Sequence, residues 1–290
     1  MDQQTRAATL LSLLDLETLD RDLFRGARDP DSIGRVFGGQ VIAQALIAAG
    51  RTVDPERVTH SAHAYFVRPG NDNLPIIYHV ERDRDGGSFS NRRVIAQQNG
   101  ETILNMITSF QIEEEGLSHT AQSMPDVPPP EELRTDAEII PELSHFPEFW
   151  RQFMVRPHGL EMRRTSIEPL MVRPMEPVQH FWFRFAGKQL VSAEINRAVL
   201  AYATDFGLLG TALLPHGIHW TNGRLRFASI DHALWFHQVP ALNDWHLYTM
   251  ESDWSGNGRG LGRGKIYSRD GVLVASTSQE GLLRLAPAEK

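Results

Sequence analysis

Residues 227–238 (FASIDHALWFHQ) return in degraded form half a chain earlier, as residues 59–70 (THSAHAYFVRPG). His63 and Ala64 align with His232 and Ala233, and an apolar, aromatic run follows each pair. The echo continues downstream: an Asn-Gly turn at Asn99 and Gly100 follows His63 by 36 residues, and an Asp-Gly turn at Asp270 and Gly271 follows His232 by 38. One unit written twice in the same order constrains the chain to two copies of one fold, with function expected where the copies differ. The second copy carries a hydroxyl, Ser229, and a carboxylate, Asp231, that the first lacks.

A length of 290 residues suits two such units, and 41% hydrophobic with 22% charged residues is ordinary core-forming material. The net charge of −7 gives no basic footprint for nucleic acid. The lack of cysteine removes disulfides, thiolate nucleophiles and cysteine-bound zinc. The twelve histidines show no i, i+4 pair with a partner carboxylate and no HEXXH string, so no metal is expected. The first residues read as a short amphipathic helix on Leu10, Leu13, Leu14 and Leu16, not as a signal peptide. No apolar stretch approaches the roughly 20 residues that span a bilayer, and the C-terminus carries no targeting address. The expectation is a soluble, cytoplasmic protein.

Each unit reads as one helix followed by a meander of strands. In the first, apolar residues recur at helical spacing from Val41 to Ala49 behind Gly38, Gly39 and Gln40, and Gly50 can close the helix. Strands are expected at 60–67, 75–81, 88–97 and 102–111, the last two joined by the Asn-Gly hairpin. The text then turns acidic and proline-rich from Glu113 to about Leu143. It is either an exposed linker or a partly ordered crossover lying on the surface. In the second unit a strand at 179–185 precedes a helix at 192–206, capped by Ser192 with Glu194 just inside. Strands at 225–236, 245–253, 260–267 and 272–283 complete it. The expected division is therefore 1–115, a linker at 116–145, and 146–290, an α+β protein. Neither unit alone covers both flanks of its helix, so the sheets should pair edge to edge with the helices back to back inside.

Asp205 is the anomaly of the second helix. It lies seven residues after Ala198, about 20° from it around the helix, at the margin of the apolar face. A carboxylate placed there must be hydrogen-bonded or shifted in pKa, either of which suits a general base; a solvent-facing aspartate at the helix end is the plain alternative. Ser229 sits in Ala228-Ser229-Ile230, unlike a nucleophile elbow. Strand alternation is expected to put Ser229 and Asp231 on one face and Ile230 and His232 on the other, poor geometry for a Ser-His-Asp triad. His63 and His232, present in both copies, read as scaffold. Gln279, in the last strand, has an amide able to orient a water or a carbonyl. The glycines of 255–264 (SGNGRGLGRG) lack the following helix of a dinucleotide site. They read as the start of a strand where a ligand or backbone comes close, with Arg259 and Arg263 as weak phosphate candidates.

Taken together, several strings resemble the type II acyl-CoA thioesterase family, whose members are double hot-dog proteins: VFGGQVIAQAL (36–46), HSAHAYFVRPG (60–70), GGSFSNRRVIAQQNG (86–100), LPHGI (214–218), IDHALWFH (230–237) and DGVLVASTSQEG (270–281). They cover both halves in order, leaving mainly the linker and residues 143–177 unmatched. The resemblance implies hydrolysis of acyl-CoA to fatty acid and CoA with no acyl-enzyme, no metal and no organic cofactor. It also implies a homo-oligomer, a dimer or tetramer of double hot-dogs. It implies that Asp205 activates a water with help from Ser229 and Gln279, serine standing where the family often has threonine. His60 matches a histidine sometimes considered functional in the family. A backbone N–H of Gly39 or Gln40, at a helix N-terminus of the other unit, is the expected oxyanion donor. The rival readings are a hot-dog enoyl-CoA hydratase, which wants an Asp-His pair, and a non-catalytic acyl-CoA-binding protein.

Overall fold

The computed structural model describes residues 2–32, 34–189 and 191–286. The chain begins with α1 (Gln3–Leu14), β1 (Glu17–Asp20) and β2 (Leu23–Gly26). Next come the first-unit helix α2 (Gly38–Gly50) and strands β3 (Arg57–Phe66), β4 (Ile76–Asp85), β5 (Phe89–Gln98) and β6 (Glu101–Ile112). Two short helices, α3 (Asp136–Ile139) and α4 (Glu148–Met154), precede β7 (Leu160–Arg164) and β8 (Val178–Phe185). The second-unit helix α5 (Ala193–Thr204) and a 3-10 helix, Leu209–His216, lead to β9 (Leu225–Ser229) and β10 (Asp231–Phe236). β11 (His246–Gly256), β12 (Arg259–Ser268) and β13 (Leu273–Leu285) follow. The strands form one thirteen-stranded sheet in the order β1-β2-β4-β5-β6-β3-β10-β13-β12-β11-β8-β7, with β9 also on β13.

The two units join where β3 pairs antiparallel with β10, His232 opposite Ala64 and Ala233 opposite His63. Edge-to-edge pairing is what the sequence led us to expect, and the reason is visible in the helices. Residues 39–49 of α2 and 196–204 of α5 are buried without interruption, so both helices need cover on every side. They pack directly against each other, their alanines at 43, 45, 48, 198, 201 and 203 each at most 1% exposed, and the sheet wraps the pair. The helices run oppositely. The α2 N-terminus meets the α5 C-terminus, where a Cβ on Gly39 would stand 2.6 Å from the Tyr202 carbonyl; at the other end Gly50 faces Glu194. Only glycine admits that approach at residue 39. The stretch Ala193–His216, α5 together with the 3-10 helix that follows its break, is 24 residues long and apolar enough by length and composition to cross a membrane, contrary to the expectation from sequence, but most of it is core of this sheet.

Asn99 and Gly100 both take positive φ in the β5–β6 hairpin, as the Asn-Gly pair predicts. The β1–β2 hairpin and β7 escape a reading by periodicity because they are short edge strands, and β1 is exposed throughout. Of the two readings of the acidic stretch, the structure shows the crossover. Met124, Val127 and Leu133 pack on Trp182, Trp245 and Leu247, and Trp182 Nε1 donates to the Pro128 carbonyl at 2.9 Å. Beyond it Ile139, Ile140, Leu143, Phe146 and Leu170 form a small separate core.

The duplicated motif differs from its sequence alignment by one register. Directly paired residues share a face of the sheet, so buried His232 corresponds in facing to buried Ala64, while exposed His63 meets the Trp235 ring on the outer face at 5.0 Å. The two histidines therefore point to opposite sides, and their recurrence is not a shared structural role. The glycines of β12 are explained by close packing within the protein and not by ligand. A Cβ on Gly262 would lie 2.7 Å from the Leu208 carbonyl of the helical segment crossing the sheet, and Gly264 leaves room for the Tyr248 ring. Replacing Gly262 by alanine should push that segment off the sheet and destabilise the fold by about 1–3 kcal/mol, read as a lower urea midpoint with an unchanged slope.

Candidate active site

Asp205 is the C-cap residue of α5, half-buried, its carboxylate aimed at the start of α2. Its Oδ2 accepts the Gly39 N–H at 2.8 Å and its Oδ1 accepts Gln279 Nε2 at 2.9 Å. The N-cap of α2, Phe37, has no capping side chain. Asp205, 166 residues beyond Gly39 in sequence, does that work from the other unit, where the positive end of the helix dipole favours a carboxylate. Gln279 Nε2 also donates to Ser229 Oγ at 3.0 Å, so one amide holds the carboxylate and the hydroxyl together. Because Ser229 Oγ accepts that bond, its own hydrogen is left to donate elsewhere.

Strand register explains how Ser229 comes to face inward. Ser229 pairs with Gly281, yet Ala233 pairs with Ser278, so β9–β10 spends one extra residue against β13. The bulge sits at Ile230 and flips the alternation. Contrary to simple alternation, Ser229 and His232 both point into the structure, and Asp231 turns aside to accept the Glu280 N–H at 2.6 Å. The three neighbours form no triad. His232, 1% exposed, pairs through Nε2 with Thr204 Oγ1 at 3.0 Å. The Thr204 hydroxyl donates to the Ala201 carbonyl, which makes His232 Nε2 the donor between them.

Residues that sequence reasoning missed hold the end of α5. Tyr248, wholly buried, donates its hydroxyl to the Thr204 carbonyl at 3.0 Å and meets Thr277 Oγ1 at 2.9 Å. Burial pushes the Tyr248 phenol up, away from ionisation. In sequence it is one more strand aromatic, and nothing marked it. Tyr202 packs edge to face on both Phe37 and Phe206 beside the carboxylate, Phe37 and Phe206 lie tilted on each other, and the His158 ring lies 4.8 Å from Phe206. These residues open on a cavity of about 800 Å³ that Asp205, Ser229 and Gln279 also line. Its apolar lining includes the buried Leu170, Leu213 and Leu214 and the half-buried Trp220 and Phe227.

Other sequence candidates lie elsewhere. The Gly39 N–H is committed to Asp205 and the Gln40 N–H to the Phe37 carbonyl at 3.1 Å, so neither stands ready as an oxyanion donor. The Gln40 side chain turns to the Ala27 carbonyl. His60 packs against Phe89 on β3, away from the cavity. Arg259 pairs with Glu280 and Arg263 with Asp253 on the outer face of β12, since the inward positions of that strand are the glycines. None of these four side chains lines the cavity.

Fold and site together define a double hot-dog protein with a carboxylate-centred pocket at the junction of its two helices. Residues 164–282 match the family model described as acyl-CoA thioesterase, and residues 27–111 match that of the acyl-CoA thioesterase N-terminal domain. The chain is 40% identical to acyl-coenzyme A thioesterase 8 of Mus musculus over 97% of its own length and 91% of that protein. It is 38% identical to acyl-CoA thioesterase 2 of Haemophilus influenzae, covering 96% and 97% of the two chains. The crystal structure of an acyl-CoA thioesterase II, TesB2, from Mycobacterium marinum superposes with a TM-score of 0.80 at 38% identity, over 96% of this chain and 99% of that one. The chain belongs to the acyl-CoA thioesterase family.

Two cavity-lining histidines give a pH signature. Burial pushes His158 down to about 4 and His219 down to about 3, from 6.5. The folded state thus binds fewer protons than the unfolded chain below pH 6.5, and their contribution is full above that pH. It is lost as the pH falls toward 4, by about 1.4 kcal/mol per unit for each histidine. Urea titrations of wild type and His158→Phe should show a shallower acid decline in the variant.

Proposed function

We propose that the chain hydrolyses acyl-CoA to free acid and CoA by direct attack of water on the thioester. The observation that carries this reading is the chain of contacts Gly39 N–H to Asp205, Asp205 to Gln279, and Gln279 to Ser229, all within 3.0 Å, with Asp205, Gln279 and Ser229 on the wall of a largely apolar cavity. Asp205, with both oxygens oriented, takes a proton from the attacking water through a remaining lone pair. Ser229 donates its free hydrogen to the same water, leaving the other lone pair on that oxygen aimed at the carbonyl carbon. Gln279 keeps the two groups in register. As the new C–O bond forms, the carbonyl electrons move to oxygen. When the carbonyl reforms the C–S bond breaks, and the departing CoA sulfur takes the proton back from Asp205.

Asp205 is half-buried and held through both oxygens by the Gly39 N–H and Gln279, an arrangement that suits hydrolysis and that a passive acyl-CoA binder does not need. The hydratase reading needs a histidine working with the carboxylate, and His232 is buried on Thr204. The same reading takes residues 1–115 and 146–290 as two hot-dog units joined through 116–145, in a cytoplasmic homo-oligomer. Tyr65, Ile107 and Trp235, 60%, 54% and 36% exposed, cluster outside the seam between units and support the oligomer.

Release of free thiol from a series of acyl-CoA chain lengths tests the proposal. Asp205→Asn keeps an acceptor for the Gly39 N–H and should lower kcat by about 10²–10⁴-fold. Ser229→Thr should retain most activity and Ser229→Ala should lose roughly tenfold, the worth of one hydrogen bond. Undiminished turnover by a folded Asp205→Asn would sink the mechanism.

A further inference from the structure

Four arginines line the cavity, and they fall into two kinds. Arg6 is buried and paired with Asp29 and Asp31; Arg164 is paired with Asp136 at 2.9 Å. Arg35 and Arg156 have no carboxylate partner among the described residues. They also occupy a particular place. Most of the lining is buried or half-buried; its exposed members are Asp31, Arg35 and Gly207, which mark the mouth. Arg156 reaches the same rim from the other unit, its Nη1 donating to the Asp31 carbonyl at 3.2 Å, four residues before Arg35. The Asp31 carboxylate is already taken by Arg6. Two uncompensated guanidinium groups thus stand at the opening of a cavity whose buried lining is mostly apolar, on a protein of net charge −7.

We infer that this rim is the subsite for the phosphate groups of the CoA moiety, and that Arg35 and Arg156 set the preference for CoA over phosphate-free thioesters. The inference rests on the thioester reading of the Asp205 site and adds the direction in which substrate lies: phosphates at the mouth, thioester at Asp205, acyl chain toward Leu213 and Trp220. A polyanionic substrate approaching an acidic protein needs a local cationic patch to steer it, and unpaired guanidinium forks match phosphate oxygens in geometry and charge. Paired arginines such as Arg6 could not serve without exposing a buried carboxylate.

The test is steady-state kinetics of Arg35→Ala, Arg156→Ala and the double variant on three thioesters of one acyl group: acyl-CoA, acyl-dephospho-CoA and acyl-pantetheine. Each single variant should raise KM for acyl-CoA about tenfold with little change in kcat, and the double variant more. The acyl-pantetheine reaction, which offers no phosphate, should keep its wild-type KM and thereby report correct folding. If acyl-dephospho-CoA behaves like acyl-pantetheine, the group held is the 3′-phosphate; if it behaves like acyl-CoA, it is the diphosphate. Arg35→Lys should restore part of the lost affinity. Equal KM increases on all three substrates, or none on acyl-CoA, would overturn the assignment. Calorimetric titration with free CoA separates this from the thioester reading: a wild type that turns over no thioester yet binds CoA about tenfold more tightly than the double variant removes the hydrolysis and leaves the subsite, while equal binding removes the subsite.

Discussion

The carboxylate of Asp205 against the first turn of α2 is the contact on which the site depends. Two antiparallel helices bring a C-terminus and an N-terminus together, and the α2 end arrives with unsatisfied N–H groups and no capping side chain of its own. Asp205 fills that role across the unit boundary. Capping and chemistry thereby fall on one residue. The bond that finishes α2 also fixes one carboxylate oxygen, and Gln279 fixes the other. What remains free points at the cavity.

Everything around that contact holds the two helix ends in place. Gly39 lets the backbones approach, and Tyr248 and Thr277 pin the last carbonyl of α5. Gly262 and Gly264 let the sheet accept the helical segment after Asp205 and the Tyr248 ring. The bulge at Ile230 turns Ser229 inward to meet Gln279, its diagonal neighbour across β13. These are steric and register devices, each a small residue or an extra one.

Much of the layout was legible in the chain. The order of helix and strands in each unit follows from periodicity and turn residues, and the edge-to-edge joining follows from helices apolar on every side. Asp205 stood out as a charge on an apolar helix margin. The sites that misled show what periodicity lacks. His63 and His232 align as letters but differ by one residue in register, which in a strand means opposite faces. Ser229 and Asp231 were expected on one face because a bulge is silent in a single sequence. Arg259 and Arg263 had the chemistry for phosphate but lie on the wrong side of β12, whereas Arg35 and Arg156, unremarkable in the sequence, both line the cavity.

The sequence alone determined the duplication, the two buried helices and the candidate carboxylate, because these depend on local spacing and on the hydrophobic effect acting along a single element. Tertiary structure decided which groups Asp205 touches, which way the histidines and Ser229 face, and which arginines are free. Those outcomes hinge on contacts between residues far apart in the chain, such as Asp205 with Gly39 and Gln279, and on a one-residue slip that no local preference encodes.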